Sequence, residues 1–192
     1  GPIVKKENAL RTGRIMTHVV YFGLPHYHKL LMSTDGGMVM YPTLDDKRRI
    51  VDNATLSLRA MGVDCPKHAI VCAIEKVNPK MEATLHAAAL KEMNRNGELP
   101  GCVVDGPFAI DIAFNRESAL LKGIEGEVAG DADLILSPDI EAGNMFYKAL
   151  NFLGGAVSAA VVTGTTVPIV LTSRSDNDRS KLLSLALGAV IR

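Results

Sequence analysis

Seven short apolar runs, separated by segments with helical spacing, set the narrowest limit on what this chain can fold into. Residues 18–22 and 29–33 read as strands joined by a short segment holding Pro25, and the pair fits a hairpin. Residues 69–74, 102–104, 133–136, 159–162 and 168–171 read as five further strands. The sequence Pro42-Thr43-Leu44-Asp45-Asp46 is a helix-capping signal, after which Ile50, Ala54, Leu58 and Met61 recur on one helical face until Gly62. Further helices are predicted from Pro79 to Asn96-Gly97, around 111–122, over 142–153 and from Asn177 onward. All-apolar strands need cover on both faces, and parallel neighbours need crossover helices. The expectation is therefore an α/β fold of three layers, α/β/α, around a mostly parallel sheet.

Charge narrows the function classes. The chain has 21 Lys+Arg against 21 Asp+Glu, a formal net charge of +0, so neither a basic nucleic-acid binder nor an acidic tail is expected. An anionic ligand must be held locally. Gly, Pro or charge interrupts each apolar stretch before the roughly 20 residues of a membrane helix, and no signal-peptide pattern opens the sequence. A cytoplasmic location, with no membrane partner, is the expectation. Cys65, Cys72 and Cys102 lack metal-type spacing and read as reduced core thiols. HExxH, paired CxxC, GxGxxG and GxxxxGK[ST] patterns are missing, so no metal site or tightly bound cofactor is expected. His26 and His28 lie in a surface turn, and Lys47-Arg48-Arg49 reads as a solvated helix face.

Ligands of open α/β sheets bind beyond the carboxyl ends of the strands, and those positions are polar here. They carry Asp35-Gly36-Gly37, Glu75, Asp105-Gly106-Pro107, Ser137-Pro138-Asp139, Thr163-Gly164-Thr165 and Thr172-Ser173-Arg174. Turn formation and capping explain about half of such residues. Ser173-Arg174 stands apart, because an arginine at a strand end ahead of a helix N-terminus offers a guanidinium and free N–H groups to a phosphate. In Glu141-Ala142-Gly143-Asn144, a glycine early in a helix costs about 1 kcal/mol against alanine unless something approaches closely. A ligand is the expected neighbour. One turn on, Tyr147 could pack or donate a hydrogen bond, and Lys148 could meet an anion or be solvated.

The stretch Val128-Ala129-Gly130-Asp131-Ala132-Asp133 through Pro138-Asp139-Ile140-Glu141-Ala142-Gly143-Asn144 to Tyr147-Lys148 resembles the phosphate acetyl/butyryltransferase family. Val167-Pro168-Ile169-Val170-Leu171-Thr172-Ser173-Arg174-Ser175-Asp176 and Cys102-Val103-Val104-Asp105-Gly106-Pro107 extend the likeness. Leu10-Arg11-Thr12-Gly13-Arg14, Asn78-Pro79 and Met93-Asn94-Arg95-Asn96-Gly97 are more similar to the butyryl branch. The resemblance implies an isocitrate/isopropylmalate dehydrogenase-like superfold and a homodimer. It further implies that residues 1–166 are mainly a second, dimer-forming domain, and that 167–192 return to a first domain with an N-terminal part ahead of the point matching Leu10.

The implied reaction exchanges acyl-CoA and inorganic phosphate for acyl phosphate and coenzyme A, with coenzyme A as substrate and no tightly held cofactor. Under that resemblance Ser173 donates to the tetrahedral oxyanion and Arg174 holds the phosphoryl group. Gly143, Asn144, Tyr147, Lys148, Asp105 and Asp35 bind substrate. The acetyl branch has its catalytic aspartate where an ungapped reading gives Ser180, so Asp176 and Asp178 both stand as candidate bases. A rival reading is a non-catalytic acyl-CoA-binding or oligomerisation module of the same fold.

Overall fold

In a computed structural model, residues 10–173 and 176–191 are described. The first strands, β1 (Thr17–Gly23) and β2 (Leu31–Thr34), form the expected antiparallel hairpin, with Tyr21 opposite Met32. Helix α1 (Leu44–Ala60) opens where the capping signal predicts: Thr43 accepts from the Asp46 N–H, and the Asp46 carboxylate accepts from the Thr43 N–H. Strand β3 (Lys67–Val71) leads to α2 (Glu82–Arg95), which starts later than Pro79 because Asn78-Pro79-Lys80 forms a turn closed on the Asn78 carbonyl and side chain.

After β4 (Val103–Phe108), the helix expected around 111–122 is two short ones, α3 (Ile110–Phe114) and α4 (Arg116–Leu121). Asn115 separates them by leaving helical geometry and capping the Ser118 N–H. Then come β5 (Leu134–Leu136), α5 (Ile140–Phe152), β6 (Val157–Thr163), β7 (Ile169–Val170) and α6 (Asp178–Val190).

The strands make one seven-stranded sheet in the order β4-β3-β5-β2-β1-β6-β7. Its ladders correct the expectation of a mostly parallel sheet. β4/β3, β3/β5 and β5/β2 are parallel, whereas β2/β1, β1/β6 and β6/β7 are antiparallel, so the sheet is mixed. The reason is two reversals: β1 runs against both its neighbours inside the sheet and β7 turns back on β6, although the other strands all point one way. The changeover falls between β2 and β1. β7 and α6 are tied to the same sheet, since β7 pairs with β6 and the Ala160 N–H donates to Ser184 Oγ of α6.

Alternation along each strand divides the core by face. Ala69 and Val71 join Val20, Phe22, Ile135 and Ile112 on the side covered by α3 and α5. Ile70 and Leu136 join Ile50, Leu90 and Val104 beneath α1 and α2, and Tyr21, Leu58 and Leu187 pack beneath α1 and α6. Helices therefore lie on both faces. Cys72 and Cys102 are buried, but Cys65 is exposed, which corrects its reading as a core thiol: it lies in the turn ahead of β3.

His68 is fully buried in β3, with Nε2 3.2 Å from Thr55 Oγ1 and Nδ1 without a hydrogen-bond partner. Burial disfavours the imidazolium and pulls its pKa down to about 3. The unfolded chain therefore binds a proton below pH 6.5 that the folded chain refuses until about pH 3. Stability should be lost as pH drops from 6.5 toward 3, by about 1.4 kcal/mol per pH unit from this group. Urea unfolding of His68→Leu between pH 6.5 and 4 should show that slope flattened relative to the parent.

Candidate functional site

The carboxyl ends of β4, β3, β5, β2 and β6 share one rim of the sheet, and the reversed β1 places its start, Thr17 and His18, on the same rim. At the changeover between β2 and β1 sits Asp35, only 3% exposed. Its Oδ2 accepts from the His18 N–H at 2.9 Å, and its Oδ1 accepts from the Gly37 and Met38 N–H groups at 2.8 and 2.7 Å. Burial pushes the Asp35 carboxyl above its usual range, opposed by these three bonds and by His18. Burial likewise holds the His18 imidazole below its usual value, although Asp35, the Leu171 carbonyl and Asp176 all favour its protonated form.

The Asp35-Gly36-Gly37 turn lies directly on the first turns of α5. A Cβ on Gly36 would stand 2.8 Å from the Gly143 carbonyl carbon, and one on Gly143 would stand 2.6 Å from the Asp35 carbonyl oxygen. The close neighbour inferred for Gly143 is thus backbone of the protein itself, a correction to the expected ligand. Asn144 fastens the contact by donating from Nδ2 to the Gly36 carbonyl at 3.1 Å. Gly37 has its own reason to be glycine, because a Cβ there would meet His18 Nδ1 at 2.9 Å.

The turn after β7 reaches this assembly through a carboxylate. Asp176 Oδ2 accepts from the Ser173 N–H at 2.7 Å, the Asp176 N–H returns to the Ser173 carbonyl, and Asp176 Oδ1 accepts from the Tyr147 hydroxyl at 2.6 Å. Burial, then the bond to Asp176, pushes the Tyr147 hydroxyl well above its usual value, so it remains a donor at neutral pH. The Tyr147 ring packs on Phe22, 6.1 Å between centroids. Asp35, Gly143, Asn144, Tyr147, Ser173 and Asp176 are thereby brought together. Arg174 lies outside the described residues.

Other expected residues lie apart. Asp178, in the first turn of α6, is exposed and paired with Lys181 at 3.3 Å. Lys148 is exposed. Asp105 is on the edge strand β4, three strands from β2, paired with Lys91 and with the Gly106 N–H. Ser180 is buried in the first turn of α6, its N–H capped by Asn177. Sequence reasoning missed His18, which leads a strand and sits in no motif.

Lys47 is a correction too: it is 3% exposed rather than on a solvated face. Its run-mates behave as surface groups, Arg48 pairing with Asp45 and Asp52 and Arg49 donating to the Gly13 carbonyl. A groove of about 750 Å³ opens at the opposite rim, against Leu24, Pro25 and Leu183, and shares no residue with the Asp35–Asp176 assembly. Among the described residues, no group of three or more His, Cys, Asp or Glu side chains is arranged for a metal ion. No helix among them is long and apolar enough to cross a membrane.

Residues 2–189 match the sequence family described as "Phosphate acetyl/butaryl transferase". The chain belongs to that family. It is 45% identical over 189 residues to a phosphate butyryltransferase of Clostridium acetobutylicum, covering 98% of this chain and 63% of the relative. It is 47% identical over 181 residues to a phosphate acetyltransferase of Thermotoga maritima, covering 94% of this chain and 62% of the relative. The chain thus spans a little over three-fifths of these relatives' length. Among solved structures, a branched-chain phosphotransacylase from Enterococcus faecalis V583 superposes with a TM-score of 0.89 at 34% identity, covering 98% of this chain and 67% of that one. As a member of the acetyl/butyryl transferase family, the chain carries both its family-like segments, around Gly143 and around Ser173, on this one rim.

The Gly143 contact sets two effects against each other. Gly143→Ala should gain about 1 kcal/mol of helix propensity. It should lose more to overlap with a rigid backbone carbonyl, typically about 1–3 kcal/mol for overpacking, and the contact cannot relax by rotamer. Urea titration should therefore find the variant less stable than the parent.

Proposed function

We propose that this chain interconverts acyl-CoA plus inorganic phosphate with acyl phosphate plus coenzyme A, with butyryl or acetyl as the acyl group. The observation that carries the reading is the Asp176 carboxylate, which joins the Ser173 turn to Tyr147 on the helix that also holds Gly143 and Asn144. Two separated family-like segments thereby share one polar rim. Membership of the family and likeness to the Enterococcus phosphotransacylase support the same chemistry.

In the direction of thioester synthesis, the coenzyme A sulfur attacks the acyl phosphate carbonyl carbon. A tetrahedral oxyanion forms, and its collapse breaks the bond to phosphate. No covalent enzyme intermediate is needed. Asp176 takes the thiol proton, a role favoured over Asp178 because Asp178 is turned to solvent. The Ser173 hydroxyl donates to the oxyanion, and Arg174 holds the phosphate by paired hydrogen bonds. Asp35 acts behind them by fixing the turn against α5. A homodimer fits the exposed Leu182, Leu185 and Val190 of α6, and helices on both sheet faces fit the isocitrate/isopropylmalate dehydrogenase-like superfold.

Release of thiol from butyryl-CoA in the presence of phosphate tests the reading. Asp176→Asn should lower kcat by about 100-fold or more, the range of general-base help, while Asp178→Asn stays near the parent. Ser173→Ala should cost about 100- to 1,000-fold in kcat, as for a lost oxyanion donor. Arg174→Ala should raise KM for phosphate more than KM for butyryl-CoA. Equal losses in both aspartate variants would refute the assignment of the base.

A further inference from the structure

Beside the proposed site lies a cavity of about 280 Å³, lined by Tyr41, Thr43, Lys47, Glu82, His86 and Asp139. Its volume is near the lower end of the roughly 300–1,000 Å³ range of small-molecule sites. It shares a wall with the start of α5: Ile140 N–H donates to the Met40 carbonyl, and Tyr41 donates to Glu141. Lys47 is the residue in it that needs an explanation. A buried ammonium is costly, and this one sits in the first turn of α1, where the helix dipole is positive. Among the described residues, no carboxylate lies within ion-pair distance of it; its neighbour is His86, with Nζ 3.2 Å from Nδ1. The other ring nitrogen of His86, Nε2, faces Glu82 Oε1 at 3.7 Å. Amine, imidazole and carboxylate therefore stand in line, the order in which a base is set beside a nucleophile and oriented by an acid.

We propose that Lys47 is a self-acylation site: its Nζ, set against His86 Nδ1 on the wall of this cavity, takes the acyl group from an acyl phosphate. The amine lone pair attacks the carbonyl carbon, the N–C bond forms, and the bond from that carbon to the bridging phosphate oxygen breaks. Inorganic phosphate leaves with that electron pair. The proton shed by nitrogen passes to His86 Nδ1, and Glu82 stabilises the imidazolium. Burial favours the neutral amine needed at the start, against the fields of Cys72, Glu82 and Asp139, and burial and Lys47 keep His86 neutral and able to accept. The product is an amide, so a buried cation becomes an uncharged group beside the start of α5. The inference rests on the reaction proposed above for the presence of acyl phosphate at this rim.

Chemically made butyryl phosphate, added to the folded chain and followed by site-resolved mass spectrometry, provides the test. Lys47 should be butyrylated at least about tenfold faster than the exposed Lys148, and His86→Gln should slow Lys47 by about 100-fold while leaving Lys148 unchanged. The preference should vanish in urea. Labelling of Lys47 no faster than Lys148, an undiminished rate in His86→Gln, or a preference that survives unfolding would each overturn the proposal. Because the acyl phosphate is supplied from outside, labelling is read independently of turnover. Thiol release from butyryl-CoA by the same sample judges the enzymatic reading on its own.

Discussion

A buried carboxylate held by three backbone N–H groups organises this molecule. Asp35 sits where the sheet changes from parallel to antiparallel, and its bonds to His18, Gly37 and Met38 join the start of β1 to the turn after β2. Removing a carboxylate from water costs several kcal/mol, and charge-assisted hydrogen bonds from fixed backbone are the strongest available offset. The bonds also hold Gly36 against Gly143, so the start of α5 meets the turn after β2 backbone to backbone, while Phe146, Tyr147 and Leu150 further along pack on the sheet. The position of α5, and with it Asn144 and Tyr147, follows from that contact.

Tyr147 then carries order from the core to the rim. Its ring lies with Phe22 in the apolar layer, while its hydroxyl reaches Asp176. A side chain with an apolar body and a polar tip suits this boundary. The Asp176 carboxylate in turn fixes the backbone of Ser173. From Asp35 to Ser173 the connections are short, directional and mostly to backbone, an arrangement that pre-sets groups for charge developing in a reaction.

Much of the fold was legible because it rests on local signals. Thr43 and Asp46 mark the start of α1, Asn177 marks the start of α6, and a short turn with Pro25 makes β1 and β2 antiparallel. What alternation of strands and helices cannot express is where the hairpin goes, since β6 pairs with β1 only through contacts far apart in sequence. The site was legible by the same division. Strand ends pointed to Asp35 and the Ser173 turn, and a glycine early in a helix, Gly143, correctly signalled a close neighbour. Its identity depended on a turn more than 100 residues away in the chain. Lys47 read as surface because lysine is seldom buried, and its partner His86 belongs to another helix. His18 gave no signal, since its neighbours are fixed by the sheet order alone.

The central place of β1 bears on how the chain must be made. Thr17 lies opposite Thr163, so a strand made early in this stretch has one flank that waits for a partner 146 residues further on. Closing so wide an interval is entropically slow, and relative contact order predicts folding that is correspondingly late. Until β6 emerges, the hairpin presents an unpaired edge to the cell, the kind of surface that nascent-chain chaperones cover.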